Sequence, residues 1–487
     1  MNPDTASSKT PHLTATLLLG CLAQFMVILD VSVVNVALPA IRTGLHFSEV
    51  DLQWVVNAYT VTFAGFLLLG GRAADMLGRR RVFVAGLVLF ALASLAGAVA
   101  NSQAVLIGAR AIQGLGGAVI APASLSILTT TFPEGRARNR AVGIWGAMGG
   151  AGGAVGVLLG GVITDLLSWR WILFINVPIG LIAALAAQRL LLESRNPQAT
   201  RDFDLRGALT ATVGLSLLVL GIVRTDQTGW GSGQTLVIIA AGLALLIGFV
   251  VIEGRFARAP LMPLRIYRSR TLSAANVVVL LLGAASFGMW FFASLYLQQV
   301  LGYSPIRAGL AFLPMSLSIV VFSTIASRAV TRVGAKPLLV TGMVALTVGL
   351  ALFAQISVHG TYLGVFILPS LLTAVGIGLA FVPATICAVA GVAPSEAGLA
   401  SGLVNTGRLF GGALGLAILA ALATSRTDSD LHHAGASVHV ALTSGFQLAF
   451  LVSAAFTLAG AGVAAFGLPR LAQREGGPAA AVPAETV

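Results

Sequence analysis

Charge is scarce in this chain of 487 residues. Asp, Glu, Lys and Arg together make up 9% of it, against 57% hydrophobic residues, and the mean hydropathy is +0.93. Soluble domains carry about 25% charged residues, so the chain cannot coat a water-facing globule, and a soluble enzyme is excluded. Cysteine is nearly absent: Cys21 and Cys387 both lie in apolar runs, which gives neither a disulfide framework nor a thiol metal site. Histidine is sparse too. Five of the six (His46, His359, His432, His433, His439) lie between apolar runs, and His12 sits at the edge of the first. The pattern offers no His/carboxylate metal cluster, no nucleophile–base pair and no phosphate-cradling loop, so no cofactor and no ATP-driven motor are expected. The net charge of +12 would suit nucleic acid in a soluble protein. Here the basic residues come in small groups without interleaved aromatics, unlike a single-strand binding surface, and no nucleic-acid partner is expected.

What the chain does have is long apolar runs. About 20 apolar residues span a bilayer as a helix, and fourteen runs of that order are read, at residues 13–38, 52–71, 82–101, 103–131, 141–164, 170–192, 206–225, 234–253, 272–297, 308–328, 337–356, 360–386, 398–424 and 440–468. The first is too long for a signal-peptide core and carries Asp30, so it reads as an uncleaved helix. Over alternate loops, 22 of the 29 Lys and Arg fall on one side and 5 on the other, with Arg110 and Arg408 inside runs. Positively charged loops stay in the cytoplasm, so an all-α, multi-pass plasma-membrane protein with both termini cytoplasmic is expected. Residues 1–12 and 469–487 read as disordered tails. Trp169, Trp171 and Trp230 read as interfacial anchors. The 57 glycines suit closely packed membrane helices.

The chain repeats itself weakly. Gly71–Val82 resembles Ser327–Leu338, pairing Arg72 with Arg328, Gly78 with Gly334 and Arg80 with Lys336; Phe132–Gly146 resembles Ala393–Gly407. The offsets leave room for one extra hairpin, so the reading is a six-helix half over 13–192, two inserted helices over 206–253 and a second half over 272–468. Parallel six-helix halves with the substrate between them are a known transporter plan.

Four stretches then resemble the fourteen-helix drug:proton antiporter branch of the major facilitator superfamily: LDVSVVNVALPAI (Leu29–Ile41), GGRAADMLGRRR (Gly70–Arg81), LIGARAIQGLGGA (Leu106–Ala118), and GAMGGAGGAVGVLLGG (Gly146–Gly161) followed by WRWILFINVPIG (Trp169–Gly180). The resemblance implies the major facilitator fold and a monomeric exporter of amphipathic drugs, antibiotics or secondary metabolites, driven by protons and without a cofactor. A proton-coupled importer of the same fold is the alternative. Val157 stands where such exporters usually have proline, which puts a kink in the fifth helix in question.

Asp30 is the one acidic residue well inside a run, and an ionisable group at membrane depth marks a functional site by default. Arg110 is its expected partner, with Gln113 one turn on; the three form the expected proton-coupling group. Gly71, Asp75, Gly78, Arg79 and Arg80 make up the loop motif, which the resemblance reads as a cytoplasmic latch between halves. Gly152, Gly156 and Gly160 fall on one face spaced for close approach, as do Gly407, Gly411 and Gly415, and Gly161 adjoins the first group; a seam between moving halves and static packing account for such faces equally well. Phe25, Asn35, Trp54, Trp290, Phe291 and Arg408 are candidates for a substrate cavity. For Arg408, a substrate contact, a helix-carbonyl contact and snorkelling to the boundary remain open.

Overall fold

The computed structural model describes residues 13–133, 136–195, 204–257, 260–389, 397–433 and 436–469; both terminal segments read as tails lie essentially outside these. Among the described residues the regular structure is helical, and fourteen helices are long and apolar enough to cross a membrane. The first unit holds α1 (Leu13–Leu45), α2 (Glu49–Leu77), α3 (Arg79–Ala98), α4 (Gln103–Thr131), α5 (Arg140–Leu166) and α6 (Arg170–Leu190). Then come α7 (Leu205–Thr225) and α8 (Gly233–Phe256). The second unit holds α9 (Arg270–Val300), α10 (Pro305–Val330), α11 (Ala335–Phe353), α12 (Tyr362–Cys387), α13 (Gly402–His432) and α14 (Val438–Gly467).

Helix starts follow local chemistry. Ser102, Ser232, Ser269 and Ser304 each accept a backbone N–H from the first turn of the helix they cap, and Pro305 follows Ser304 at the first helical position, where its missing N–H costs nothing. α1 runs past the expected end at Leu38, through Pro39 to Leu45. Proline inside a helix orphans the carbonyl four residues back. That carbonyl, Asn35 O, accepts a 2.7 Å hydrogen bond from Ser294 Oγ of α9, and the next one, Val36 O, accepts from Gln298 Nε2 at 2.9 Å. A contact from the other unit thus satisfies the break, and the helix continues.

The two units pack alike: α1 on α5 and α9 on α13, α2 on α4 and α10 on α12, α3 on α6 and α11 on α14. The paired loop motifs also fold alike. Gly78 and Gly334 both take positive φ, 113° and 88°, a conformation that favours glycine. Arg80 donates to the Leu191 carbonyl at 3.2 Å, and its counterpart Lys336 donates to the Leu468 carbonyl at 2.6 Å. Each bond ties the turn to the end of its unit's last helix. α7 lies along α2 and α13, bridging the units on one flank, while α8 packs on α7 and is largely exposed.

Of the two readings of the glycine faces, static packing within a unit is the one their contacts fit. A Cβ on Gly156 would lie 2.7 Å from Ser32 Cβ, and one on Gly160 would lie 2.9 Å from the Val33 backbone. The face therefore packs against α1 of the same unit. Gly161 alone of that group meets the second unit, with the Pro305 carbonyl 2.5 Å from where its Cβ would be. Four-residue spacing fixes a common face but leaves its partner unspecified. In the second unit, Gly411 sits on α9 so closely that a Cβ would be 2.0 Å from the Leu280 carbonyl. Gly411→Ala is therefore expected to destabilise the protein by about 1–3 kcal/mol through overpacking, despite alanine's better helix propensity. Gly143→Ala, with nothing within 4 Å, should be neutral or mildly stabilising. Thermal denaturation followed by size-exclusion chromatography in detergent would separate the two.

Candidate functional site

The fold gathers polar side chains from five helices around one carboxylate. Asp30 of α1 is completely buried, and so, within 1%, are Arg110 and Gln113 of α4 and Tyr59 of α2. Arg110 Nη1 donates to Asp30 Oδ2 at 2.5 Å and to Gln113 Oε1 at 2.6 Å. Gln113 Nε2 donates to Asp30 Oδ1 at 2.7 Å and to Ser94 Oγ of α3 at 2.6 Å. Asn176 Nδ2 of α6 reaches the same Oδ1 at 2.8 Å. Arg110 also donates from Nε to the Val55 carbonyl at 3.0 Å, and its guanidinium lies 4.5 Å above the Tyr59 ring. The extension of α1 to Leu45 sets Asp30 deeper from that end than the run boundary implied. The long Arg110 side chain and Gln113, a turn further in, cover the difference.

The sequence reading brought together three of these residues. Asn176, Ser94 and Tyr59 were missed. Asn176 lies within the WRWILFINVPIG stretch already singled out, and a polar residue inside an apolar run was the available signal.

An ion pair buried this deeply holds only where the remaining polar valences are filled. Here Asp30 accepts three donors and the Arg110 charge faces one carboxylate, one amide oxygen, one carbonyl and one aromatic ring. Two buried oxygens at the rim, Tyr59 Oη and Asn176 Oδ1, have no partner. A proton arriving on Asp30 would cancel the only full charge opposite Arg110 and force these bonds to redistribute. Gly152 and Gly156 of α5 bear on Phe25, Leu29 and Ser32, the turns of α1 on either side of Asp30.

The loop motif is held within its own unit. Asp75 Oδ1 accepts from Arg79 Nη2 at 2.7 Å, and Arg79 Nε donates to Ser126 Oγ of α4 at 2.6 Å. The Glu193 carboxylate, just past α6, accepts the backbone N–H groups of Arg80 and Arg81 at the start of α3, where an acid complements the helix dipole. A side chain on Gly78 would collide with it, at 2.6 Å from Oε1. The residue of this stretch that reaches beyond the unit is Arg72, which donates to the Pro260 carbonyl at 2.9 Å.

The cavity candidates are scattered. Phe291 is buried and, with Glu49, lines a small hollow among α9, α13 and α14; Trp290 lies against Phe312 at 5.1 Å between ring centroids. Both belong to an aromatic cluster continued by Phe292, Phe353, Phe366 and Phe450. The second unit thus has rings where the first has the polar network. Asn35 contributes its carbonyl, Trp54 packs against the patch that α7 shares with α13, and Phe25 is half-buried beside α5. Arg408 is half-buried, hydrogen-bonded to Asn405 at 3.0 Å, with its guanidinium 5.7 Å from the Phe381 ring and its Nε without a partner.

The sequence matches the family description Major Facilitator Superfamily over residues 20–416 and again over 276–486. It is 44% identical to the cephamycin export protein CmcT of Amycolatopsis lactamdurans, across 92% of this chain and 93% of the relative. It is 39% identical to the puromycin resistance protein pur8 of Streptomyces alboniger, across 90% of this chain and 86% of that one. Among solved structures, an auto-inhibited POT family peptide transporter superposes with a TM-score of 0.67 at 16% identity, covering 91% of this chain and 96% of its own. A bacterial homolog of the human lysosomal transporter Spinster, inward-facing and unoccupied, gives 0.62 at 16% identity over 95% and 98%.

Proposed function

Because this chain belongs to the Major Facilitator Superfamily, we propose that it is a secondary exporter that moves amphipathic antibiotics or related metabolites outward in exchange for protons. Relatives named for cephamycin export, puromycin resistance, and tetracenomycin C resistance and export support the export direction. The observation that carries the proton role is the wholly buried Asp30, held by Arg110, Gln113 and Asn176. Protonation there weakens its pairing with Arg110, and the glycine contacts between α1 and α5 pass the change to the helix that reaches the second unit at Gly161. The basic face, carrying Arg79 to Arg81, is the cytoplasmic one on this reading, with a monomer as the working unit. In everted membrane vesicles, adding substrate should collapse an imposed pH gradient. No collapse with any antibiotic tried would count against antiport.

The loop motif acts in this reading as a brace on the cytoplasmic face: Asp75 and Glu193 hold the α2–α3 turn rigid so that Arg72 can grip the linker at Pro260. Asp75→Asn should loosen that face. The Asp75 side chain is more than a third exposed, so its pair with Arg79 is worth about 0.3–1 kcal/mol, and the readout is labelling of a cysteine placed at Leu68, which meets Gly402 across the seam. Unchanged labelling would leave the basic residues as charge anchors only.

Cargo charge follows from the inventory. Among the described residues no carboxylate besides Asp30 lies mid-span, and Arg110 and Arg408 add positive charge. Desolvating each further cationic charge costs several kcal/mol. Neutral, monocationic or weakly anionic cargo is therefore expected, held by apolar and aromatic contacts. Efflux of matched mono- and divalent aromatic cations compares them directly; better transport of the divalent member would refute the expectation.

A further inference from the structure

At the basic-face end of the inserted hairpin two carboxylates are buried side by side. Asp204, 9% exposed, caps α7, its Oδ1 accepting the Gly207 N–H at 2.8 Å. Glu253, 4% exposed in the last turn of α8, accepts the Met262 N–H through Oε2 at 2.8 Å. The second oxygen of each, Asp204 Oδ2 and Glu253 Oε1, is buried without a donor. Both crowd one spot: a Cβ on Gly207 would lie 2.7 Å from either, and the charge of Asp204 bears directly on Glu253. Facing carboxylate oxygens with no hydrogen between them repel, whereas one shared proton turns the same geometry into an O–H···O bond.

The surrounding charges do not replace that proton. From α2, Arg72 acts on Glu253 as a nearby charge while donating to the Pro260 carbonyl. From the short helical turn Leu264–Arg268, Arg265 and Arg268 line the same hollow as Glu253. Arg206 and Arg255, the basic neighbours in α7 and α8, are exposed. None of these side chains donates to Asp204 Oδ2 or Glu253 Oε1, the two oxygens that face each other.

We propose that Asp204 and Glu253 form a second proton-binding site, separate from Asp30, in which one shared proton closes a clasp between the inserted hairpin and the linker into the second unit. With the proton in place, Asp204 keeps its cap on α7, Glu253 holds Met262, and Arg72 holds Pro260 from the α2 side, so the linker is fixed beneath the α2–α13 seam. Loss of the proton sets two like charges in contact, Glu253 parts from Asp204, and the Met262 tether opens. Proton occupancy on the basic face thereby controls how tightly the hairpin straps the two units.

The test uses the full-length chain in lipid, in an Asp30→Asn background so that Asp30 contributes no signal. Infrared difference spectroscopy at neutral pH should show the C=O band of a protonated carboxylic acid, lost in both Asp204→Asn and Glu253→Gln. Absence of the band in the parent, or its persistence in both variants, overturns the proposal. A cysteine at Met262 gives a second readout that needs no amide variant. Its labelling should rise with pH over the range in which the band disappears, and labelling that ignores pH overturns the clasp. Neither readout uses transport, so the result is independent of the role proposed for Asp30.

Discussion

Asp30→Asn is expected to abolish substrate-dependent collapse of a pH gradient in everted vesicles while the chain still inserts in the membrane. The asparagine oxygen can go on accepting from Gln113 and Asn176, the two donors on Oδ1, so the helices keep their register. What disappears is the carboxyl proposed to carry the proton. The change also leaves the Arg110 guanidinium without a counter-charge, and stripping one partner from a buried pair typically costs about 3–5 kcal/mol. The Val55 carbonyl, Gln113 Oε1 and the Tyr59 ring absorb part of that, so a lowered melting temperature accompanies the loss of transport. Asp30→Glu should retain partial activity, because a carboxyl remains at a slightly different reach. Efflux at the rate of the unaltered chain in Asp30→Asn would remove Asp30 from the mechanism altogether.

Much of this architecture could be read from the residues before any coordinates. The fourteen helices were legible because the lipid interior imposes one rule, a long apolar run, and because loop charge alternates in step with it. The end of α1 was not. Pro39 looks like a stop signal, and only the hydrogen bond from Ser294, 259 positions along the chain, explains why the helix carries on. The partner of the Gly152–Gly160 face was hidden for a related reason, since spacing along one helix says nothing about which neighbour uses it.

The site divides the same way. Asp30, Arg110 and Gln113 stood out because charge inside an apolar run is costly and therefore rare. Asn176, Ser94 and Tyr59 carry no charge, and polar residues of those types occur in many of the helices. Their role exists only once α2, α3 and α6 close around α1 and α4. The buried Asp204–Glu253 pair was illegible too: both residues sit at helix ends, where acids are ordinary, and only the fold turns them toward each other.

A second large effect concerns what happens when the opposite charge is removed. Arg110→Met leaves Asp30 with Gln113 and Asn176 as donors, and a carboxyl without a counter-charge in the membrane interior is neutralised by keeping a proton. Arginine has no such escape, since it stays protonated in proteins. Removing Arg110 should therefore destabilise the chain less than removing the Asp30 charge, with methionine's unbranched stem filling much of the space the guanidinium stem occupied. The double variant Asp30→Asn/Arg110→Met has no charge left to strand. It is expected to melt above Asp30→Asn alone, recovering a good part of the 3–5 kcal/mol or so attached to an unpaired buried charge. Both Arg110→Met and the double variant should still fail to couple efflux to protons, the first because Asp30 stays loaded, the second because nothing titrates. Thermal denaturation of the unaltered chain and the three variants in one detergent closes the double-mutant cycle. A double variant that melts no higher than Asp30→Asn would show that the pair is held by shape and hydrogen bonding, with its opposite charges contributing little to the fold.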